Sequence, residues 1–323
     1  MKKQIYLSFC LFFLAAAVFP AKPVNRIIFY VLKGPSGIGM VRLLENPPVV
    51  SGFEIRMEAL ARSDLMAAKF LSGEAMIGML PPDVAAKIAS SGKNIQIAAV
   101  TGTGMLSLLS TDRSVNSYDD LRGKTVEVAG QGAAPDYVFR KILTSRGIDP
   151  ENDINLNYSL AYPEIAQALI LRRVSLALLP EPFSTMARQG NPNLAAVGDI
   201  QGEWARLNGN MASDYPMTVL AVDGAFAAAN SELINTILEE ARASIEWVKA
   251  NPGDAAVLVE KHDLGLRAAV AGEAIPKSGY TFIPAVQARP DLEALYKVFL
   301  EFAPVSIGGA LPPDAFYLQP RQR

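Results

Sequence analysis

Short apolar runs rich in β-branched residues alternate with helical stretches of about ten residues, which confines this chain to a βαβ-type α/β fold. Arg26–Leu32, Phe53–Met57, Ala75–Leu80 and Ile95–Val100 read as strands. Between them lie helical stretches. One covers Ile38–Glu45, one starts at Ser63 with Leu65, Ala68 and Phe70–Leu71 on one face, and one opens at Pro81-Pro82-Asp83. A second series begins near residue 117. Ser117–Leu121 is a capped turn, Gly123–Ala129 a strand, and Pro135–Arg146 a helix. Asn155–Ser159, Ser175–Leu179, Leu194–Val197 and Met217–Val222 read as strands, and Tyr162–Arg173 and Phe183–Gln189 as helices. Ser231–Ala250 is a long amphipathic helix with Ser231 as N-cap and Asn251-Pro252 as its stop; helices over 253–261, 266–274 and 290–302 follow.

At 323 residues the chain has room for about two domains. The 30 basic and 32 acidic residues leave a net charge of −2 with no basic stripe, which argues against a nucleic-acid partner. One His and one Cys cannot build a Cys/His zinc site or an intrachain disulfide, so no metal site and no cofactor is expected. A lone His262 in Lys261-His262-Asp263 reads as a helix C-terminal cation, and no GxSxG elbow points to a Ser–His–Asp hydrolase. Carboxylate pairs such as Asp119-Asp120 and Glu239-Glu240 fall on solvated faces.

Residues 1–21 have the form of a signal peptide: Lys2 and Lys3 precede the apolar run Ile5–Phe19, which Pro20 ends. A membrane span needs about 20 apolar residues, and no later stretch is long enough. Cys10 follows the bulky Phe9, which disfavours a lipid anchor. The expectation is an exported protein, periplasmic or extracytoplasmic, soluble once the segment is cleaved.

Three segments in order carry a resemblance: Leu121–Gly130 (LRGKTVEVAG), Ser175–Phe183 (SLALLPEPF) and Ile307–Tyr317 (IGGALPPDAFY). Together they resemble the solute-binding proteins of ABC importers, in the group that binds nitrate, sulfonate, taurine and thiamine precursors (the NMT1/THI5-like group). Ser175 departs from the Asp common at that position. The resemblance implies a two-lobed periplasmic-binding-protein fold of type II, each lobe a mostly parallel sheet flanked by helices, with a ligand cleft between the lobes. It implies a discontinuous first lobe (22–107 plus 221–323), a second lobe over 113–215, and hinge crossings near 108–112 and 216–220. The implied activity is capture of a small organic solute by hinge closure and delivery to an ABC permease, as a monomer and without catalysis. Alternatives are a ligand sensor for a membrane receptor, or an enzyme on the same fold; the pyrimidine synthases of that fold use His and Cys chemistry that this chain is too poor in to supply.

Ligands of open α/β sheets bind beyond the carboxyl ends of strands, so the loops there supply the candidates. They are Pro35, Ser36 and Gly37; Leu80 and Pro81; Thr101, Gly102 and Thr103; Gln131, Gly132, Ala133 and Ala134; Tyr162; Glu181; and Tyr215. The helix starts behind 36–38 and 132–136 suit an anion, yet no Arg lies in these loops and only Lys33 borders one. That weakens an anion-specific reading and leaves room for a neutral or aromatic solute, so heterocyclic, aromatic and sulfonate-like solutes all stay open. Glu181, fixed between Pro180 and Pro182, suits a cationic or N–H-bearing heterocycle, and equally a cap on the following helix. Tyr162 and Tyr215 suit stacking on a flat ligand or ordinary packing.

Overall fold

The computed structural model describes residues 25–210 and 214–319. The signal-like segment lies outside these residues. In chain order the elements are β1 (Asn25–Leu32), α1 (Pro35–Gly39), α2 (Val41–Glu45), β2 (Val49–Val50), β3 (Phe53–Leu60), α3 (Ser63–Ser72), β4 (Ile77–Leu80), α4 (Pro82–Ser90), β5 (Ile95–Thr103) and β6 (Leu106–Ser110). Then come β7 (Thr125–Val128), α5 (Ala134–Ser145), β8 (Asn155–Asn157), α6 (Tyr162–Ile170), β9 (Leu176–Pro180), α7 (Phe183–Gly190), β10 (Ala195–Ala196) and α8 (Ile200–Leu207). The chain ends with β11 (Pro216–Asp223), α9 (Gly224–Ala229), α10 (Ser231–Ala250), α11 (Pro252–Lys261), α12 (Ala268–Ala274), β12 (Tyr280–Pro284) and α13 (Ala285–Phe302).

Two sheets result. The first has seven strands in the order β12-β5-β11-β4-β1-β3-β2, the second five in the order β10-β6-β9-β7-β8. The α/β character agrees with the alternation in the sequence. The pairings, however, are mixed rather than mostly parallel. In the first sheet only β1–β3 and β1–β4 are parallel, because β11 returns antiparallel between β4 and β5. In the second, β7–β8 and β7–β9 are parallel while β6 runs antiparallel to β9 and β10. Alternation reveals that strands exist; it does not reveal the direction of a strand that returns after a long excursion.

Helices cover both faces of the first sheet, which is why its central strands are apolar throughout. Phe29, Val31, Ile77, Met79, Leu220 and Val222 pack against Ile234, Ile237 and Ile245 of α10. Tyr30, Leu80, Ile97 and Val219 point the other way, toward Met66 and Phe70 of α3 and Leu292, Tyr296 and Phe299 of α13. That second cluster continues into the other sheet's helices through Phe139, Leu143 and Trp204.

The chain passes from the first sheet to the second at Gly104–Met105, because Leu106–Ser110 is a strand paired with β9. This lies upstream of the crossing expected near 108–112. It returns ahead of Pro216, where β11 begins and pairs at once with Thr103 of β5, so 216–220 belongs to the first sheet. Thr101–Thr103, expected as a loop, is the carboxyl end of β5, where the pairings with β11 and β12 shift register. Helix α10 spans the expected residues, but its N-cap is Asn230, with Ser231 already in the helix. Helix α13 begins at Ala285 and carries Pro290 inside, where the sequence suggested a start at the proline. The elements α8, α9 and β12 had no clear sequence signal.

Candidate functional site

The carboxyl ends of β1, β4, β7 and β9 face a cleft of about 530 Å³ between the two sheets. Its first-sheet wall is Leu32–Ser36, Pro81, Asp83, Met217 and Thr218, with Leu264–Leu266 at one side. Its second-sheet wall is Gly130, Ala133–Pro135, Ala161–Pro163, Pro180 and Phe183, and Met105 lies at the crossing. Most of these side chains are apolar or Pro, so the lining is rigid and poor in hydrogen-bonding groups.

Local sequence explains the rigidity. The first turns of α1, α4, α5 and α6 line the cleft, and each carries Pro at its first or second position. Before α5 the chain turns through Gly130 and Gly132, with φ of 74° and 79°, a region that disfavours side chains. Asp136, almost fully buried, holds this loop: its carboxylate accepts from the Gly132 N–H at 2.9 Å and from Arg140 Nε at 2.7 Å. Tyr158 donates to the same carboxylate at 2.7 Å and accepts from Arg140 at 2.8 Å.

Of the residues singled out in the sequence, Pro35, Ser36, Pro81, Ala133, Ala134 and Tyr162 line the cleft. Ser36 is buried and its hydroxyl is engaged with the Leu32 carbonyl at 3.2 Å. Tyr162 stacks on Phe183, ring centroids 5.7 Å apart, and burial raises its hydroxyl pKa above the usual tyrosine range. The others are placed elsewhere. Gly37 is packed so tightly that a Cβ there would meet the Leu32 carbonyl oxygen at 2.5 Å. Leu80 is core. Thr101 is buried with its hydroxyl 3.0 Å from that of Thr218. Gly102 and Thr103 are strand residues, and Gln131 and Gly132 flank the lining without joining it.

Glu181 and Tyr215 resolve toward structure. The buried Glu181 carboxylate accepts from the Thr185 N–H at 3.2 Å, satisfying a free donor in the first turn of α7. Tyr215 is fully buried, its hydroxyl accepting from the Leu106 N–H at 3.1 Å and its ring edge-on to Trp204 at 5.6 Å. His262 caps α11 and pairs with Glu45 at 2.8 Å.

Asp83 was not foreseen as a site residue. It follows Pro81-Pro82 at the carboxyl end of β4, and that position is the signal that could have marked it. Its Oδ1 is buried with no hydrogen-bond partner among the described residues. Burial pushes its carboxyl up to about 6. The basic side chain lining the cleft, Lys33, is already tied to Asp263 at 2.6 Å. Among the described residues no group of three His, Cys, Asp or Glu side chains is placed to hold a metal ion, and no helix is long and apolar enough to cross a membrane.

Solved structures share this architecture. An ABC transporter protein from Parabacteroides distasonis superposes with a TM-score of 0.79 at 23% identity, over 93% of this chain and 100% of that one. The periplasmic aliphatic sulphonate binding protein SsuA of Escherichia coli gives a TM-score of 0.74 at 18% identity, over 93% of this chain and 94% of that one. A Candida albicans gene product described as having the generic periplasmic binding protein fold gives 0.61 at 11% identity, over 91% of this chain and 94% of that one. At these identities the likeness is one of fold: two α/β sheets flanked by helices, in the periplasmic-binding-protein arrangement. No curated protein matches the sequence. The NMT1-like family profile matches residues 51–261, which take in the whole second sheet, β3, β4, β5 and β11 of the first, and the second-sheet wall of the cleft with Pro81, Asp83, Met217 and Thr218 of the first-sheet wall. On that match the chain belongs to the NMT1-like family.

Proposed function

We propose that this protein captures a small organic solute in the cleft and hands it to the permease of an ABC importer. The observation that carries the reading is the cleft itself: its two walls come from different sheets, and the chain passes between those sheets at Gly104–Met105 and again ahead of Pro216. Two bodies joined at two adjacent crossings can swing about them, and a solute bound between them favours the closed arrangement. The bodies are then residues up to 105 together with 216 onward, and residues 106–210. The crossings lie side by side, with the Gly104 N–H donating to the Tyr215 carbonyl at 2.9 Å. Family membership and the ABC-type binding proteins among the structural neighbours support the transport role. Export to the periplasm, through the signal-like residues 1–21, belongs to the same reading. The reaction is binding alone, with no bond made or broken.

The test is a thermal-shift screen of the chain from residue 22 onward against organic amines, heterocycles, aromatic carboxylates and sulfonates, followed by X-ray scattering. A true solute at a hundredfold excess over its Kd stabilises by about 2.7 kcal/mol, a midpoint rise of several degrees. It should also shrink the radius of gyration and be recovered unchanged. A compound that is bound and chemically converted would overturn the reading in favour of an enzyme.

A further inference from the structure

The cleft wall holds a carboxylate, that of Asp83, answered only in part: the backbone N–H groups of Asp83 and Val84 at the start of α4 reach it, and one of its oxygens is left over. Asp83 Oδ1 is buried without a hydrogen-bond partner among the described residues. A buried charge left unpaired is costly, and proteins retain one where something else completes it. Besides those two backbone N–H groups, the side chains that feel the Asp83 charge among the described residues are the hydroxyls of Tyr162 on α6, Tyr137 on α5 and Tyr296 on α13, none of them basic. Tyr296 is committed to the Pro82 carbonyl at 3.0 Å, and Lys33 to Asp263.

The same walls are poorly built for an anion. Helix N-termini attract anions through their free N–H groups, but here a proline removes a donor from each of α1, α4, α5 and α6. Acidic residues in the first turns of α5 and α6 engage backbone donors at those helix starts. Asp136 accepts from Gly132, and Glu164 accepts from the Ala161 N–H at 2.9 Å. Their carboxylates, with that of Asp83, also offset the positive ends of three helix dipoles.

We propose that the cleft selects small organic cations, protonated amines or amidinium-type bases on an apolar or aromatic body, with Asp83 as their counter-charge and the stacked Tyr162–Phe183 pair as the wall they lie against. This rests on the solute-capture reading and narrows it to one charge class. A charged N–H donor supplies the bond Asp83 Oδ1 lacks, and an aromatic face adds attraction for the same cation.

Three probes of one shape and different charge decide it: benzamidine, benzamide and benzoate, titrated calorimetrically into the full chain at neutral pH and millimolar probe. The expected order of affinity is benzamidine, then benzamide, then benzoate. Asp83→Asn should weaken benzamidine by about tenfold or more and leave benzamide unchanged. In the unaltered protein, benzamidine should also weaken as pH falls through about 6, where Asp83 takes up its proton; this profile carries the test even if the variant does not fold. Benzoate binding as tightly as benzamidine, an unaltered benzamidine affinity in Asp83→Asn, or no binding by any probe would each overturn the cation assignment. Compaction on a sulfonate or carboxylate would then leave solute capture standing, whereas absence of compaction across the whole panel would bring down that reading as well.

Discussion

Asp83 and Asp214 both carry carboxyls that burial pushes up to about 6, against about 3.9 in an unfolded chain. The folded protein therefore binds these protons more tightly than the unfolded one. The burial penalty is present in full above pH 6 and is relieved as the pH falls toward 4, so stability rises on mild acidification, by about 1–3 kcal/mol. Asp112 works in the opposite sense: its hydrogen bond from Lys124 holds its carboxyl below the usual range, and that contribution is lost only at still lower pH. Urea melts at pH 7.5, 6.5, 5.5 and 4.5 should show a maximum on the acid side of neutrality, flattened in Asp83→Asn and Asp214→Asn; a steady fall from pH 7.5 downward would refute this. At this scale the sequence was readable in kind and not in direction. Pro180-Glu181-Pro182 announced a fixed carboxylate, yet it could not say that the side chain turns back to Thr185 and away from the cleft. Asp83, one residue past two prolines, carried the same kind of signal and does line the cleft.

Among the elements, helices α5 and α13 join the two halves. Tyr137 of α5 meets Phe299 edge-on at 5.0 Å and stacks on Phe302 at 5.7 Å, and Lys141 pairs with Glu301 at 2.7 Å. Tyr137→Ala removes both ring contacts from a half-buried position and should cost about 1–3 kcal/mol, read as a lower urea midpoint. Scattering of the unliganded variant should show a larger radius, since this contact spans the two halves; an unchanged radius would confine Tyr137 to local packing. Element positions were largely legible, because α10 and the core strands obey simple periodicities. Partners were not. The strand over 95–103 shows nothing in its sequence of the fact that it lies beside 216–223 and 280–284. The short β12, with residues half-buried along most of its length, lacks the apolar contrast that pattern reading needs.

On the scale of the whole molecule, the two-body arrangement was visible only through resemblance, and the place where the chain changes sheets was misplaced by a few residues. Leu106–Ser110 is apolar enough to be core of either sheet, and only its pairing with β9 assigns it. Gly104 marks the true passage: it adopts φ 61°, and a Cβ there would sit 2.4 Å from Asp214 Oδ2. Neither constraint can be read from one glycine in a Thr-Gly-Thr-Gly run.

The position of β11 sets the order in which this chain acquires its structure. It is the strand that joins β4 to β5, and it is synthesised after the whole of the second sheet. Until it arrives, β1, β3 and β4 form one fragment and β5 is stranded from it. Condensation of 106–210 brings residues 104 and 215 together and shortens the effective loop that β11 must close. Pulse-labelled hydrogen exchange during refolding should protect the amides of Val126 and Leu178 before those of Val219 and Leu220. The inserted half would then act as a folding template for the half that encloses it, and changes that slow its condensation would delay the entire chain while leaving the finished first sheet untouched.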